Sequence, residues 1–416
     1  MRTDAVERLS AKLDVRSVAR SLAPGRGETF DLAYVRDGPE SDVPILLVPG
    51  GPGLASVLPY HRLRREAAKR GLDVIMVEHR GVGFSRHDVQ GADLPSEALT
   101  ITQAADDLAA VLDACGVQRA VVYGTSYGSY LAQVFGVRHA DRVAGTVLDS
   151  PKVSTSDHAV TRAHLRRLLW EGEHPDTAEV AALLRAAVDT GAVDRSSATD
   201  VVQPVYEFAG ANNLTRLLRL RLAGRGQRIW ERLAALGSRE VSEVHRYVME
   251  FDLVGTIAFR ELAYAPSPDG GVLDLNLAFG AVADRYPPFA GEPFDLAHHL
   301  PEARWPMAVV SGDRDLRTPR PIAESIVERA PDAALVPLAR TGHSALDTHQ
   351  LAALYVARAV QVGNHGKLPG VADRLAALPR RGASRWLGHA IAGAVRAASL
   401  VPAPRRRRPL AGGGQR

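Results

Sequence analysis

Gly124-Thr125-Ser126-Tyr127-Gly128 is a G-x-S-x-G pentapeptide between an apolar run, residues 119–123, and a stretch with helical spacing. In that context a strained strand-to-helix turn would present a serine hydroxyl, so Ser126 is a candidate nucleophile. A hydroxyl of ordinary acidity attacks poorly, so a histidine must take its proton and a carboxylate must fix that histidine's tautomer. Arg340-Thr341-Gly342-His343-Ser344 directly follows the apolar run 334–338, and most of the other histidines lie where no strand end precedes them. Location therefore makes His343 the candidate base. For the acid, Ser311-Gly312-Asp313-Arg314-Asp315 follows the run 307–310, and composition does not choose between Asp313 and Asp315. Asp149, at the end of the run 146–148, is a third candidate, whose structural alternative is to cap the turn that follows it.

The negative charge that develops on an attacked carbonyl needs backbone N–H donors fixed in advance. Pro49-Gly50-Gly51-Pro52-Gly53 follows the run 44–48 and lets the backbone approach a substrate closely, so one donor is expected from this loop at Gly51. The other is the N–H of Tyr127, the residue after the nucleophile.

These residues must be held by a sheet. Short apolar runs at 44–48, 73–77, 120–123, 146–148, 307–310 and 334–338 alternate with helical patterns, the rhythm of a mostly parallel, doubly wound sheet. Thr100 with Gln103 reads as a capping box, Gly116 as a helix stop, and Thr318-Pro319 as the opening of a helix to about residue 329. Between residues 150 and 306 the strand rhythm gives way to Leu-, Ala- and Arg-rich helical stretches. An insertion leaving and re-entering at strand ends should lie over the carboxyl edge of the sheet, where open α/β sheets bind ligands. The expected organisation is α/β: a core over 1–150 and 306–362, a helical cap over 151–305, and a basic, disordered tail over 363–416.

The charge is uneven. The tail has eleven Lys and Arg against the single acid Asp373, so it carries +10 of a net charge of +4 and the body is at −6. Such a body has no nucleic-acid footprint. The tail reads as a solvated extension, with Trp386, Leu387, Ile391 and Val395 at helical spacing offering a weak contact to an anionic membrane or a protein. No transmembrane segment or leader is expected. The single cysteine, Cys115, shares a helix face with Leu108, Val111 and Leu112, reads as a small core hydrophobe and fits a cytoplasmic location.

Taken with their spacing, these motifs resemble an α/β-hydrolase of the proline iminopeptidase and tripeptidyl aminopeptidase type. Gly50-Gly51-Pro52-Gly53 is similar to that family's H-G-G-P-G loop, residues 78–85 to its D-Q-R-G-x-G-x-S segment, and residues 124–128 to its G-x-S-[WY]-G elbow. Pro49 stands where the family has histidine, and Glu78-His79 where it has Asp-Gln. The resemblance selects Asp315 as the acid. It also implies that Glu261, in Phe259-Arg260-Glu261-Leu262-Ala263-Tyr264, meets the ammonium of a peptide's free N-terminus. The implied activity is a cofactor-free serine aminopeptidase acting on short peptides. An esterase, lactonase or amidase acting on a small metabolite is the alternative with the same chemistry, and a non-catalytic binding module is the alternative of another class.

Overall fold

Strands buried on both faces read as unbroken apolar runs, and each of the six runs is a strand. The computed structural model of the protein describes residues 2–400 other than 24, 26, 382 and 383, with the side chains of 2–5, 236–242 and 384 also outside the description. Its sheet has eight strands: β1 (Arg16–Ser21), β2 (Thr29–Asp37), β3 (Ile45–Val48), β4 (Val74–Val77), β5 (Ala120–Thr125), β6 (Val143–Asp149), β7 (Met307–Gly312) and β8 (Ala333–Leu338). Their spatial order is β1-β2-β4-β3-β5-β6-β7-β8. The strands from β4 to β8 run parallel, while β2 is antiparallel to both β1 and β4. Alternate residues of each central strand feed two cores, with Leu46, Ile75 and Val122 on one face and Leu47, Met76 and Val121 on the other. The strand order reverses at β3 and β5, and the crevice beyond their carboxyl ends is the expected ligand site.

The hairpin β1–β2 was not expected from the sequence. β1 is polar and has no buried residue, and β2 has its short apolar run, Leu32 to Val35, flanked by the charged Asp31 and Arg36, so the pair lacks the apolar signal of the central strands. Of the local helix signals, the Thr100 cap and the Gly116 stop act as read, while the Gln103 side chain accepts from the Thr100 hydroxyl and donates to the Leu22 carbonyl without closing the box. Thr100 accepts from the Gln103 N–H at 3.1 Å at the start of helix Ile101–Ala114, and Gly116 follows that helix with φ +65°. Cys115 closes it as a half-buried thiol against the core.

No strand of the sheet lies between β6 and β7 among the described residues; the segment is built of helices including Asp157–Arg166, Pro175–Asp189, Ala198–Ala209, Ala211–Leu222, Gln227–Ser242 and Phe251–Arg260. They enclose a third core containing Leu165, Leu184, Val205, Leu217 and Trp230.

The described part of the tail, within residues 363–400, differs from the expected disordered extension. Leu368 and Leu375 pack into the sheet core, and helix Ser384–Leu400 lies against the cap helices Ala198–Ala209 and Ala211–Leu222. Ile391 and Val395 enter the cap core, so these two apolar positions are not available to a membrane, while Trp386 stays exposed. Arg225 of the cap donates to the Ala398 and Ser399 carbonyls at 3.1 and 2.8 Å, satisfying acceptors that a helix end leaves open. The physical reason for the difference is that an amphipathic face with a cap to pack on gains burial that charge composition does not reveal. The run Arg405-Arg406-Arg407-Arg408 lies outside the described residues. Val395 is fully buried, so Val395→Asp should lower stability by about 3 kcal/mol or more, read as a drop in urea midpoint at constant m-value.

Candidate active site

Ser126 sits at the end of β5 and caps helix Tyr127–Arg138 with φ 53° and ψ −120°. This backbone is strained for a residue with a Cβ. The turn is held because Gly124 and Gly128 leave no room for a side chain: a Cβ on Gly124 would strike the Gly128 carbonyl, and one on Gly128 would strike the carbonyls of Val48 and Pro49. The Ser126 N–H donates to the Asp149 carbonyl at 2.9 Å, and its own carbonyl accepts from Ser129 Oγ. The Tyr127 N–H, at the first position of the helix, has no intrahelical acceptor.

Gly50 lies against Ser126, since a Cβ built on it would be 3.3 Å from Ser126 Cβ and 3.9 Å from Ser126 Oγ. Its neighbour Gly51 has φ +122°, and its carbonyl accepts from the Tyr264 hydroxyl at 3.2 Å, so a cap residue clamps the loop. Glu78 and His79 have structural roles here. Glu78 is fully buried and accepts from the Ser56 and Val57 N–H groups at 2.5 and 3.0 Å, which anchors the chain after the loop, although burial pushes its carboxyl up to about 7. His79 Nδ1 is 2.7 Å from the Arg80 carbonyl, which can only accept, so Nδ1 carries the proton and Nε2 accepts from the Tyr127 hydroxyl at 2.9 Å. Burial holds this imidazole neutral, pushed down to about 4.

At the ends of β7 and β8, His343 Nδ1 lies 3.1 Å from both carboxylate oxygens of Asp315. Asp315 is buried and accepts from the Arg317 and Thr318 N–H groups and the Thr318 hydroxyl, each at 2.9 Å. Burial acts to raise this carboxyl, and the His343 charge with these hydrogen bonds brings it below its ordinary value. Burial acts to lower the His343 imidazolium, and Asp315 more than compensates, leaving it above the ordinary histidine value. Asp313 is not part of this pair; it accepts from the Thr341 N–H at 3.2 Å. Asp149 is a loop anchor: its oxygens accept from the Ala345 and Leu346 N–H groups at 3.0 and 2.8 Å and from the Tyr123 hydroxyl at 2.9 Å. It thus fastens the turn after His343, not the turn into the insertion. The elbow and the histidine loop are joined directly, because Thr125 Oγ1 and Ser344 Oγ, the neighbours of Ser126 and His343, are 3.0 Å apart.

One carboxylate oxygen of Glu261 accepts from the Ile101 N–H at 2.9 Å, capping helix Ile101–Ala114, and the other pairs with Arg260 at 2.9 Å. Each oxygen thus has a partner within the protein, which gives Glu261 a structural role as a helix-capping carboxylate beside the amine contact that the resemblance implies. The cap also brings Glu207 to the acid turn, a residue that sequence reasoning passed over. It is buried, accepts from the Leu316 N–H at 3.1 Å and from Gln203 Nε2 at 2.7 Å, and its carboxyl is pushed up to about 7 by burial. Its one sequence signal was Gln203 and Glu207 at i, i+4 within an otherwise apolar stretch. Among the described residues no group of three or more His, Cys, Asp or Glu is arranged to hold a metal ion, and no helix is long and apolar enough to cross a membrane.

The profile of the family described as alpha/beta hydrolase fold matches residues 43–183, from β3 into the cap. A curated relative named as the carbamate hydrolase RutD of Pseudomonas savastanoi pv. phaseolicola is 27% identical over 178 residues, 42% of this chain and 66% of that relative's length. Among solved structures, the proline iminopeptidase of Mycobacterium smegmatis superposes with a TM-score of 0.51 at 18% identity, covering 84% of this chain and 99% of that one. Identity at that level speaks for the fold and not for the substrate. With its eight-stranded, mostly parallel sheet, its helical segment between β6 and β7 and the matched profile, the chain has the α/β-hydrolase fold.

Proposed function

We propose that the protein is a serine hydrolase of small esters or amides. Ser126 attacks the acyl carbonyl, His343 takes its proton and returns it to the leaving group, Asp315 holds the imidazole, and the N–H groups of Gly51 and Tyr127 receive the oxyanion. The observation that carries this reading is the strained Ser126 elbow fastened, through Thr125 and Ser344, to the loop of a buried Asp315–His343 pair. Water then releases the acyl group from Ser126. No step requires a metal or an organic cofactor.

The aminopeptidase reading needs a carboxylate to meet an ammonium, and the candidate Glu261 already holds the Ile101 N–H and Arg260, one with each oxygen. This favours the small-metabolite alternative over peptides with a free N-terminus. A fluorogenic panel decides between them: simple esters and amides beside peptides with free and acetylated N-termini, with Ser126→Ala as the blank. Ester turnover without preference for a free amine supports the proposal. Cleavage confined to free amines restores the aminopeptidase, and absence of turnover on every substrate leaves a binding module.

The base works as neutral imidazole, so kcat/KM falls as pH drops through the His343 value. Because that value is raised, the acid limb of the profile should have its midpoint above pH 6.5, measured with an uncharged ester.

A further inference from the structure

The acids that the cap and its hinge bring toward the carboxyl end of the sheet include Glu261, Glu207, Asp157 and Glu292, each with hydrogen-bond partners, although Oε1 of Glu292 is buried without one among the described residues. Glu261 and Glu207 hold the partners described above. Asp157 accepts from the Val153 and Ser154 N–H groups at 2.7 and 3.1 Å, and Glu292 accepts from Ser154 and Thr155 at 3.1 Å. Lys152, a cation at the same end, is placed otherwise. It is the third residue beyond β6, and its backbone is pinned on both sides to the helix that begins after Ser126. Its N–H donates to Ser129 Oγ at 3.0 Å, and its carbonyl accepts from Gln133 Nε2 at 2.8 Å. Its Nζ lies 4.5 Å from the centroid of the Tyr264 ring, whose hydroxyl clamps the Gly51 carbonyl.

Among the described residues the Lys152 ammonium has no hydrogen-bond acceptor or ion-pair partner, and Asp157 and Asp315 reach it only through their fields. His158, at the edge of the same tyrosine ring, is neutral, its imidazole pushed down to about 3 by burial and by Lys152. Burial also lowers the Lys152 ammonium itself. A ring face replaces only part of the hydration such a cation gives up, so a further anionic partner would complete it.

We propose that Lys152 recognises a carboxylate carried by the substrate, so that the preferred substrates are anionic esters or amides such as half-esters of dicarboxylic acids. This rests on the serine-hydrolase reading for turnover but not for binding. A carboxylate held by Lys152 is opposite in sign to the ammonium of a free N-terminus. Lys152 supplies a charge-assisted hydrogen bond to the carboxylate while Ser126 meets the acyl carbon, a pairing worth about 10- to 100-fold in affinity when sheltered from water.

The test compares three substrates of similar length: mono-ethyl adipate (anionic), ethyl hexanoate (neutral) and ethyl 6-aminohexanoate (cationic). In the Ser126→Ala protein, calorimetric binding of mono-ethyl adipate should exceed that of ethyl hexanoate, and adding Lys152→Met should cut that ratio about 10- to 100-fold. Lys152→Arg should keep the preference, and Lys152→Glu should move it to the aminohexanoate. With Ser126 intact, kcat/KM should follow the same order. Equal binding of the adipate and hexanoate esters, or a ratio untouched by Lys152→Met, overturns the proposal. Preferential binding of adipate without any turnover supports it and defeats the hydrolase reading alone.

Discussion

Ser126→Ala should lower kcat on a responsive ester by about 10⁴- to 10⁶-fold, with the melting temperature nearly unchanged. In the proposed mechanism the loss follows from removing the atom that would carry the acyl group, which leaves only the residual catalysis of the proposed oxyanion donors and the binding surface. The unchanged stability follows from what holds the turn. The elbow is fixed by the Ser126 N–H on the Asp149 carbonyl, by Ser129 Oγ on the Ser126 carbonyl, and by the close approach of Gly124 and Gly128, all of which survive loss of Oγ. Alanine and serine pay a similar cost at φ 53°, so the strain is not relieved. An activity-based phosphonate gives the complementary readout: it should label Ser126 in the native protein and leave Ser126→Ala unmodified. Undiminished turnover in the alanine variant would remove Ser126 from the mechanism.

What the sequence made legible were features whose cause is local. An apolar run buried on both faces marks a strand without reference to its neighbours, and a glycine-flanked serine after such a run marks the elbow. Thr100 and Gln103 cap a helix across three residues, a spacing visible in the chain itself. The features that escaped depend on partners far along the chain. Glu261 finds its acceptor role at Ile101, 160 positions earlier, so its motif gives no sign of the helix cap. Asp149 is engaged by residues nearly 200 positions later, and the tail helix is ordered by cap helices of which its charge composition says nothing. Lys152 is conspicuous only once Tyr264 is placed beneath its ammonium. Pairing at such distances is set by the fold's topology, and periodicity in one segment carries no information about it.

The choice among the three acids yields the second large effect. Asp315→Asn should reduce kcat by about 10⁴-fold, because an amide turned toward His343 can hold the wrong tautomer and does not stabilise the imidazolium. It should also move the acid limb of kcat/KM downward, since burial lowers the His343 imidazolium and Asp315 is the group that opposes it. Asp149→Asn should behave in another way. Asp149 accepts from two backbone N–H groups and a tyrosine hydroxyl, and an amide nitrogen in place of one oxygen would face donors without an acceptor, costing about 1–3 kcal/mol of stability. The loop after His343 would loosen and kcat would fall, but the acid limb should stay where it is, because Asp149 does not set the charge beside the imidazole. Denaturation and pH profiles of both variants separate the roles. A displaced limb in Asp149→Asn together with an undisplaced one in Asp315→Asn would transfer the acid's role to the end of β6. The opposite pattern assigns orientation of the base to the turn after β7 and anchoring of its loop to Asp149.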